Sequence, residues 1–222
     1  MLIASNIFKS HGDTAVLKGI DLTIGKQQIV SIIGKSGAGK STLLHILGTL
    51  DKPDKGAVFF NNQNLTQLSE RELSEFRNKN MGFIFQFHHL LPEFNALENV
   101  LLPYLIGQND IKAGEKKARE ILGYLNLSHR LTNKPSQLSG GEQQRVAVAR
   151  ALINDPIIIF ADEPSGNLDT ESSTSLHELF LKLRDDFGQS LVIVTHNQEL
   201  AKMSNEIIKM SDGTIVERTI QS

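Results

Sequence analysis

Apolar residues along the 222-residue chain change spacing several times, and each spacing predicts a different element. Residues 1–33 read as strands. Ile20-Asp21-Leu22-Thr23-Ile24 alternates apolar and polar like a strand with one buried face, and Ile29-Val30-Ser31-Ile32-Ile33 is a β-branched run suited to a strand covered on both faces. From Ser41 to Leu50 the apolar positions shift to helical spacing. Ala57–Phe60 and Met81–Phe85 read as strands, with a short helix between them that starts at the capping pair Ser69 and Glu72.

Residues 87–137 have no strand-like run. Their pattern predicts one helix over Ala96–Ile106, interrupted at Pro103, and another over Ala113–Leu125. Beyond them the expected order is helix Gly141–Asn154, strand Ile157–Ala161, helix Thr170 to about Asp185 and strand Leu191–Thr195. The end of the chain reads as a hairpin, Glu206–Met210 and Thr214–Val216, turning at Asp212-Gly213. Strands alternating with helices predict an α/β domain on a largely parallel sheet. The block 87–137 reads as a helical subdomain inserted into a core formed by residues 1–86 and 138–222.

Composition narrows the class. Hydrophobic residues make up 40% and charged residues 22%, as in ordinary globular domains. A net charge of −2 offers no electrostatic footprint for nucleic acid. With no cysteine, disulfide and thiolate chemistry are excluded. Met1–Asn6 lacks the charged head and apolar run of a secretory signal, and no apolar stretch nears the ~18 residues of a bilayer span. Any role at a membrane is expected to depend on another subunit for the spans.

The candidate chemistry begins where the buried strand ends. Gly34-Lys35-Ser36-Gly37-Ala38-Gly39-Lys40-Ser41 fits G-x-x-x-x-G-K-[ST] between a strand and a helix, the setting in which glycines bring backbone N–H groups to phosphate oxygens. Lys40 is expected to reach the β- and γ-phosphates and Ser41 to ligate Mg²⁺, with Thr42 beside it on phosphate. Asp162 and Glu163 end the apolar run Ile157–Ala161. There Asp162 can hold Mg²⁺ through water, and Glu163, facing elsewhere, can deprotonate an attacking water. Asn133-Lys134-Pro135-Ser136 begins like the guanine-specifying N-K-x-D but lacks its aspartate, which argues against a GTPase.

A hundred residues after the phosphate loop stands Leu138-Ser139-Gly140-Gly141-Glu142-Gln143. With that loop and the Asp162-Glu163 strand end it resembles the signature of the ATP-binding-cassette (ABC) ATPases, and the resemblance covers essentially the whole chain. It implies a P-loop NTPase core of RecA type with an N-terminal antiparallel β subdomain and an inserted helical subdomain. It also implies that Ser139, Gly140, Gly141 and Glu142 close over ATP held by a second copy. Gln86 matches the family's glutamine that contacts Mg²⁺ and the lytic water, His196 the histidine at the γ-phosphate, and Ser165-Gly166-Asn167-Leu168-Asp169 a loop crossing the dimer interface. One position departs from the pattern. Where the family stacks adenine on an aromatic residue, often Tyr, this chain has His11, with Phe8 nearby.

The apolar stretch Gln86-Phe87-His88-His89-Leu90-Leu91-Pro92, followed by Ala96-Leu97-Glu98-Asn99-Val100, resembles the ATPases of bacterial lipoprotein-releasing systems. That resemblance implies a peripheral homodimer on the cytoplasmic face of the inner membrane. Two integral permease subunits would dock near residues 87–106, and the lipoprotein would be reached only through them. ATPases of macrolide exporters and cell-division complexes share the core motifs and are the alternative.

Overall fold

The computed structural model describes residues 1–107 and 110–221; Gln108 and Asn109, inside the expected helical block, and Ser222 lie outside the described residues. Two sheets organise the molecule. The first is antiparallel, in the order β2-β1-β4-β5, from β1 (Leu2–His11), β2 (Thr14–Ile24), β4 (Lys55–Phe60) and the two-residue β5 (Gln63–Asn64). The second has the order β10-β9-β3-β8-β7-β6, from β3 (Ile29–Gly34), β6 (Met81–Phe85), β7 (Ile158–Asp162), β8 (Ser190–Val194), β9 (Glu206–Ser211) and β10 (Thr214–Ile220). All neighbours in it run parallel except the β9–β10 hairpin. That hairpin turns at Asp212 and Gly213, both at positive φ as a type I′ turn requires.

Every residue of β8 is buried, and so are four of the five in β7. Such burial is why these strands read as unbroken apolar runs rather than alternations. One core lies between the two sheets and includes Ile7, Ile32, Leu43 and Phe160. A second lies on the other face of the six-stranded sheet, where Val146, Val148, Ile159 and Phe180 meet.

The helices are α1 (Lys40–Leu47), α2 (Glu70–Asn80), α3 (Ala96–Ile106), α4 (Ile111–Tyr124), α5 (Gly140–Leu152), α6 (Thr170–Phe187) and α7 (Gln198–Lys202). Most begin at a side-chain cap. Ser69, Asn95 and Ser139 each accept from the backbone N–H three residues on, and Glu72, Glu98 and Glu142 complete reciprocal capping boxes. α6 starts at Asp169 and stops at Gly188 in the left-handed conformation.

Three expectations need correction. α3 is not interrupted at Pro103: the helix continues to Ile106, and the Pro103 carbonyl accepts from Gly107 N–H and from the amides of Asn78 and Asn154. α1 ends at Leu47, short of Leu50, because Gly48 caps it and Thr49 turns to positive φ. α7 was not expected. It is only five residues long and rests on Asn197, whose side chain accepts from Glu199 and Leu200 N–H.

Candidate functional site

Gly34, at the end of β3, has φ 153, and a Cβ there would lie 2.3 Å from the Met210 carbonyl oxygen. Gly37 (φ 78) and Gly39 (φ 92) are left-handed as well, and a Cβ on Gly39 would meet the Val16 carbonyl oxygen at 2.9 Å. No side chain fits at Gly34 or Gly39, which leaves the backbone amides there open to an approaching phosphate. Lys40 Nζ donates back to the carbonyls of Gly34 (2.9 Å) and Lys35 (3.0 Å), which holds the ammonium over the loop.

A cavity of about 600 Å³ opens above the loop. Of the expected site residues it is lined by Gly34, Ser36, Gly37, Gly39, Lys40, Ser41, Thr42, Gln86, Glu163 and His196. Sequence reasoning missed Val16, which adds an apolar wall from β2. As one half-buried valine in an alternating strand, it carried no signal. Lys35 shares the loop without lining the cavity, and Ala38 is packed into the core.

Parallel pairing of β7 with β8 puts Asp162 level with Val194. Ser41 Oγ donates to Asp162 Oδ1 (3.0 Å), while His45 Nε2, on α1, stands 3.8 Å from Oδ2. Burial, with the neighbouring Glu163 charge, pushes the Asp162 carboxyl above the usual range, against the opposing pull of the Ser41 hydroxyl, His45 and Lys40. Among the described residues no three His, Cys, Asp or Glu side chains form a metal cage. One hydroxyl and one carboxylate at the base of a phosphate loop suit Mg²⁺, which takes most of its ligands from water and phosphate.

Glu163 is held in the left-handed region (φ 46), and its N–H donates to the Val194 carbonyl at 2.9 Å. This kink turns the carboxylate away from Asp162 and toward His196. His196 Nδ1 lies 2.8 Å from Glu163 Oε2, and His196 N–H donates to the same oxygen at 3.2 Å. Gln86, just past β6, donates from Nε2 to Asn167 Oδ1 (3.0 Å), and Asn167 Nδ2 returns a bond to the Gln86 carbonyl (3.2 Å). This reciprocal pair ties the two loops. Gly166 leaves it room: a Cβ there would be 2.9 Å from Gln86 Nε2.

The signature residues stand apart. Ser139, Gly140, Gly141 and Glu142 form the first turn of α5 and do not line the phosphate cavity. Glu142 accepts from Ser139 N–H (2.8 Å) and Arg130 Nε (2.8 Å). The Ser139 amide, then Arg130, hold its carboxyl below the usual range. His11 ends β1 as an exposed residue outside the cavity. Phe8 is half-buried, its ring edge 3.1 Å from where a Cβ on Gly19 would be. A second cavity, of about 420 Å³, is walled by Leu50, Phe83, Phe85, Pro103, Ile106 and Arg150 among others. Phe87 and Ile106 are exposed large apolar side chains at 71% and 69%. No helix of the described residues is long and apolar enough to cross a membrane.

Known proteins resemble this chain in sequence and in fold. The ABC transporter family profile matches residues 17–166. A protein of Cytophaga hutchinsonii named lipoprotein-releasing system ATP-binding protein LolD is 56% identical over 216 residues, covering 97% of this chain and 99% of its own. Its namesake in Bacteroides thetaiotaomicron is 56% identical over 215 residues, with the same coverage. Among solved structures, a dimeric bacterial ABC transporter cassette superposes with a TM-score of 0.91 at 40% identity, over 99% of this chain and 98% of that one. A dimeric cassette in a post-hydrolysis state, bound to ADP and Pi, also has a TM-score of 0.91, at 38% identity. The chain therefore belongs to the ATP-binding proteins of the ABC transporter family, among the relatives named LolD.

Proposed function

We propose that two copies of this chain sandwich two ATP molecules, and that their hydrolysis drives release of lipoproteins from the bacterial inner membrane. The observation that supports the sandwich is the separation of the two halves of the site. The phosphate cavity is lined by Lys40, Gln86, Glu163 and His196, while Ser139–Glu142, at the start of α5, lie outside it. Full-length identity of 56% to two LolD proteins supports lipoprotein release as the work performed.

In this reading the loop amides of residues 34–42 and the Lys40 ammonium bind the β- and γ-phosphates and stabilise the charge that builds there. Ser41 and Gln86, with Asp162 through water, would hold Mg²⁺, which when bound neutralises phosphate oxygens. Glu163 accepts a proton as water oxygen bonds to the γ-phosphorus and the bond to the bridging oxygen breaks, leaving ADP and phosphate. His196 orients the Glu163 carboxylate and reaches the γ-phosphate. His11, beside Val16 of the cavity wall, is our choice for the adenine side of the pocket, with Phe8 nearby as the alternative. Residues 87–137 form the helical subdomain. Two permease subunits dock at the apolar cavity and exposed stretch near residues 87–106, on the cytoplasmic face.

Affinity capture of the tagged chain from detergent-solubilised native membranes, followed by mass spectrometry, tests the assignment. Two different permeases with large periplasmic domains are expected. A single permease type would overturn lipoprotein release in favour of macrolide-type export.

A further inference from the structure

Arg150 lies in the last turn of α5, the helix whose first turn carries Ser139–Glu142. Its guanidinium reaches out of the helix to the segment just after Gln86. One nitrogen donates to the His89 carbonyl at 2.6 Å and the other to the His88 carbonyl at 2.6 Å. Those two histidines are consecutive left-handed residues, with φ 56 and 48. Two adjacent non-glycine residues there are a strained arrangement that lasts only where surrounding contacts fix it. The fork of the guanidinium is that contact: two short charge-assisted bonds to neighbouring carbonyls set the turn in one shape.

The turn begins at His88, two residues beyond Gln86, so its shape bears on how the chain leaves β6 at Gln86, whose side chain lines the phosphate cavity. On its other side Arg150 forms part of the apolar cavity with Phe85, His89, Pro103 and Ile106. One side chain thus touches the helix of the signature, the turn that follows Gln86, and the wall of the cavity near residues 87–106.

We infer that Arg150 is a positioning residue for hydrolysis, acting on Gln86 through the His88–His89 turn. The inference rests on the reading of Gln86 as a residue of the ATP site. Arg150→Lys keeps the charge but replaces the planar two-nitrogen fork with a single nitrogen on a shorter stem, so the two bonds lose their fixed geometry. In the purified full chain, assayed well below its melting temperature, it should lower kcat about tenfold while ATP affinity stays within about twofold of wild type. Gln86→Ala should lower kcat too, and adding Arg150→Lys to it should change kcat by less than about twofold, because the positioned group is gone. A merely structural arginine would give effects that multiply in the double variant, and that result overturns the inference, as does wild-type kcat in Arg150→Lys alone. Wild-type kcat in Gln86→Ala would instead remove the role of Gln86 on which it rests. Should Arg150→Lys fail to fold, Arg150→Gln takes its place in the same cycle, and effects that multiply with Gln86→Ala overturn the inference.

Discussion

Single residues carry the chemistry, and the most exposed to test is Glu163. Its left-handed backbone turns the carboxylate onto His196 instead of the Ser41–Asp162 pair. A positioned base contributes about 10²–10⁴ in rate. Glu163→Gln should therefore lower kcat at least about 100-fold and leave ATP affinity in equilibrium binding near wild type; turnover at the wild-type rate would remove Glu163 as the base. Gly34 gives a second test at this scale. A methyl group there meets the Met210 carbonyl at 2.3 Å on a backbone that L-residues rarely adopt. Gly34→Ala should cost about 1–3 kcal/mol in chemical denaturation and weaken ATP binding. The residues of the phosphate loop and of the Asp162-Glu163 strand end were legible in sequence because motif and flanking elements coincide there. Val16, His45 and the pairing of Asn167 with Gln86 were not, since each depends on distant segments that only the folded sheet brings together.

Elements place those residues, and the helix caps and buried strands decide how firmly. Ser139 caps α5 while belonging to the signature, so Ser139→Ala should cost about 1 kcal/mol of stability in a urea titration in addition to any loss of turnover. On α6, His177 is buried, and desolvation holds its pKa below the ordinary value, opposed by Glu199. Its unfolded form binds a proton near pH 6.5 while the folded form stays neutral, so stability is full above about pH 6.5 and falls as pH drops below it. Urea midpoints measured at pH 7.5 and 5.5 should fall on acidification, and less steeply in His177→Asn; identical slopes would show that His177 is not a source of the loss. Helices with caps at both ends and strands with unbroken apolar runs were readable in advance. α7 was not, because five residues give no period to detect and its stability comes from one asparagine cap. The interruption expected at Pro103 is not found: α3 runs on to Ile106, and Asn78 and Asn154 both donate to the Pro103 carbonyl, giving the helix partners outside itself.

At the scale of the whole molecule, the proposed sandwich has one chain holding two halves of a site that do not meet. Gly141 does not line the phosphate cavity; it lines a separate one beside Ser172 on α6. Order along the sequence marked both stretches, and the family resemblance already implied that a second copy joins them; the fold adds that the signature does not line the phosphate cavity of its own chain. Gly141→Asp would place a carboxylate in the stretch that the proposed sandwich sets over the partner's ATP, with the Ser172 hydroxyl, 2.8 Å from its Cβ, shifting to admit it. It should abolish turnover while single-chain nucleotide binding, measured by fluorescence, survives; undiminished activity would refute the sandwich. The most direct measurement is the mass in solution of the Glu163→Gln chain with saturating Mg²⁺-ATP, by light scattering after size exclusion. The account predicts a species of twice the 24.6 kDa chain mass that reverts to monomer when ATP is removed. A monomer that persists at saturating ATP would contradict it.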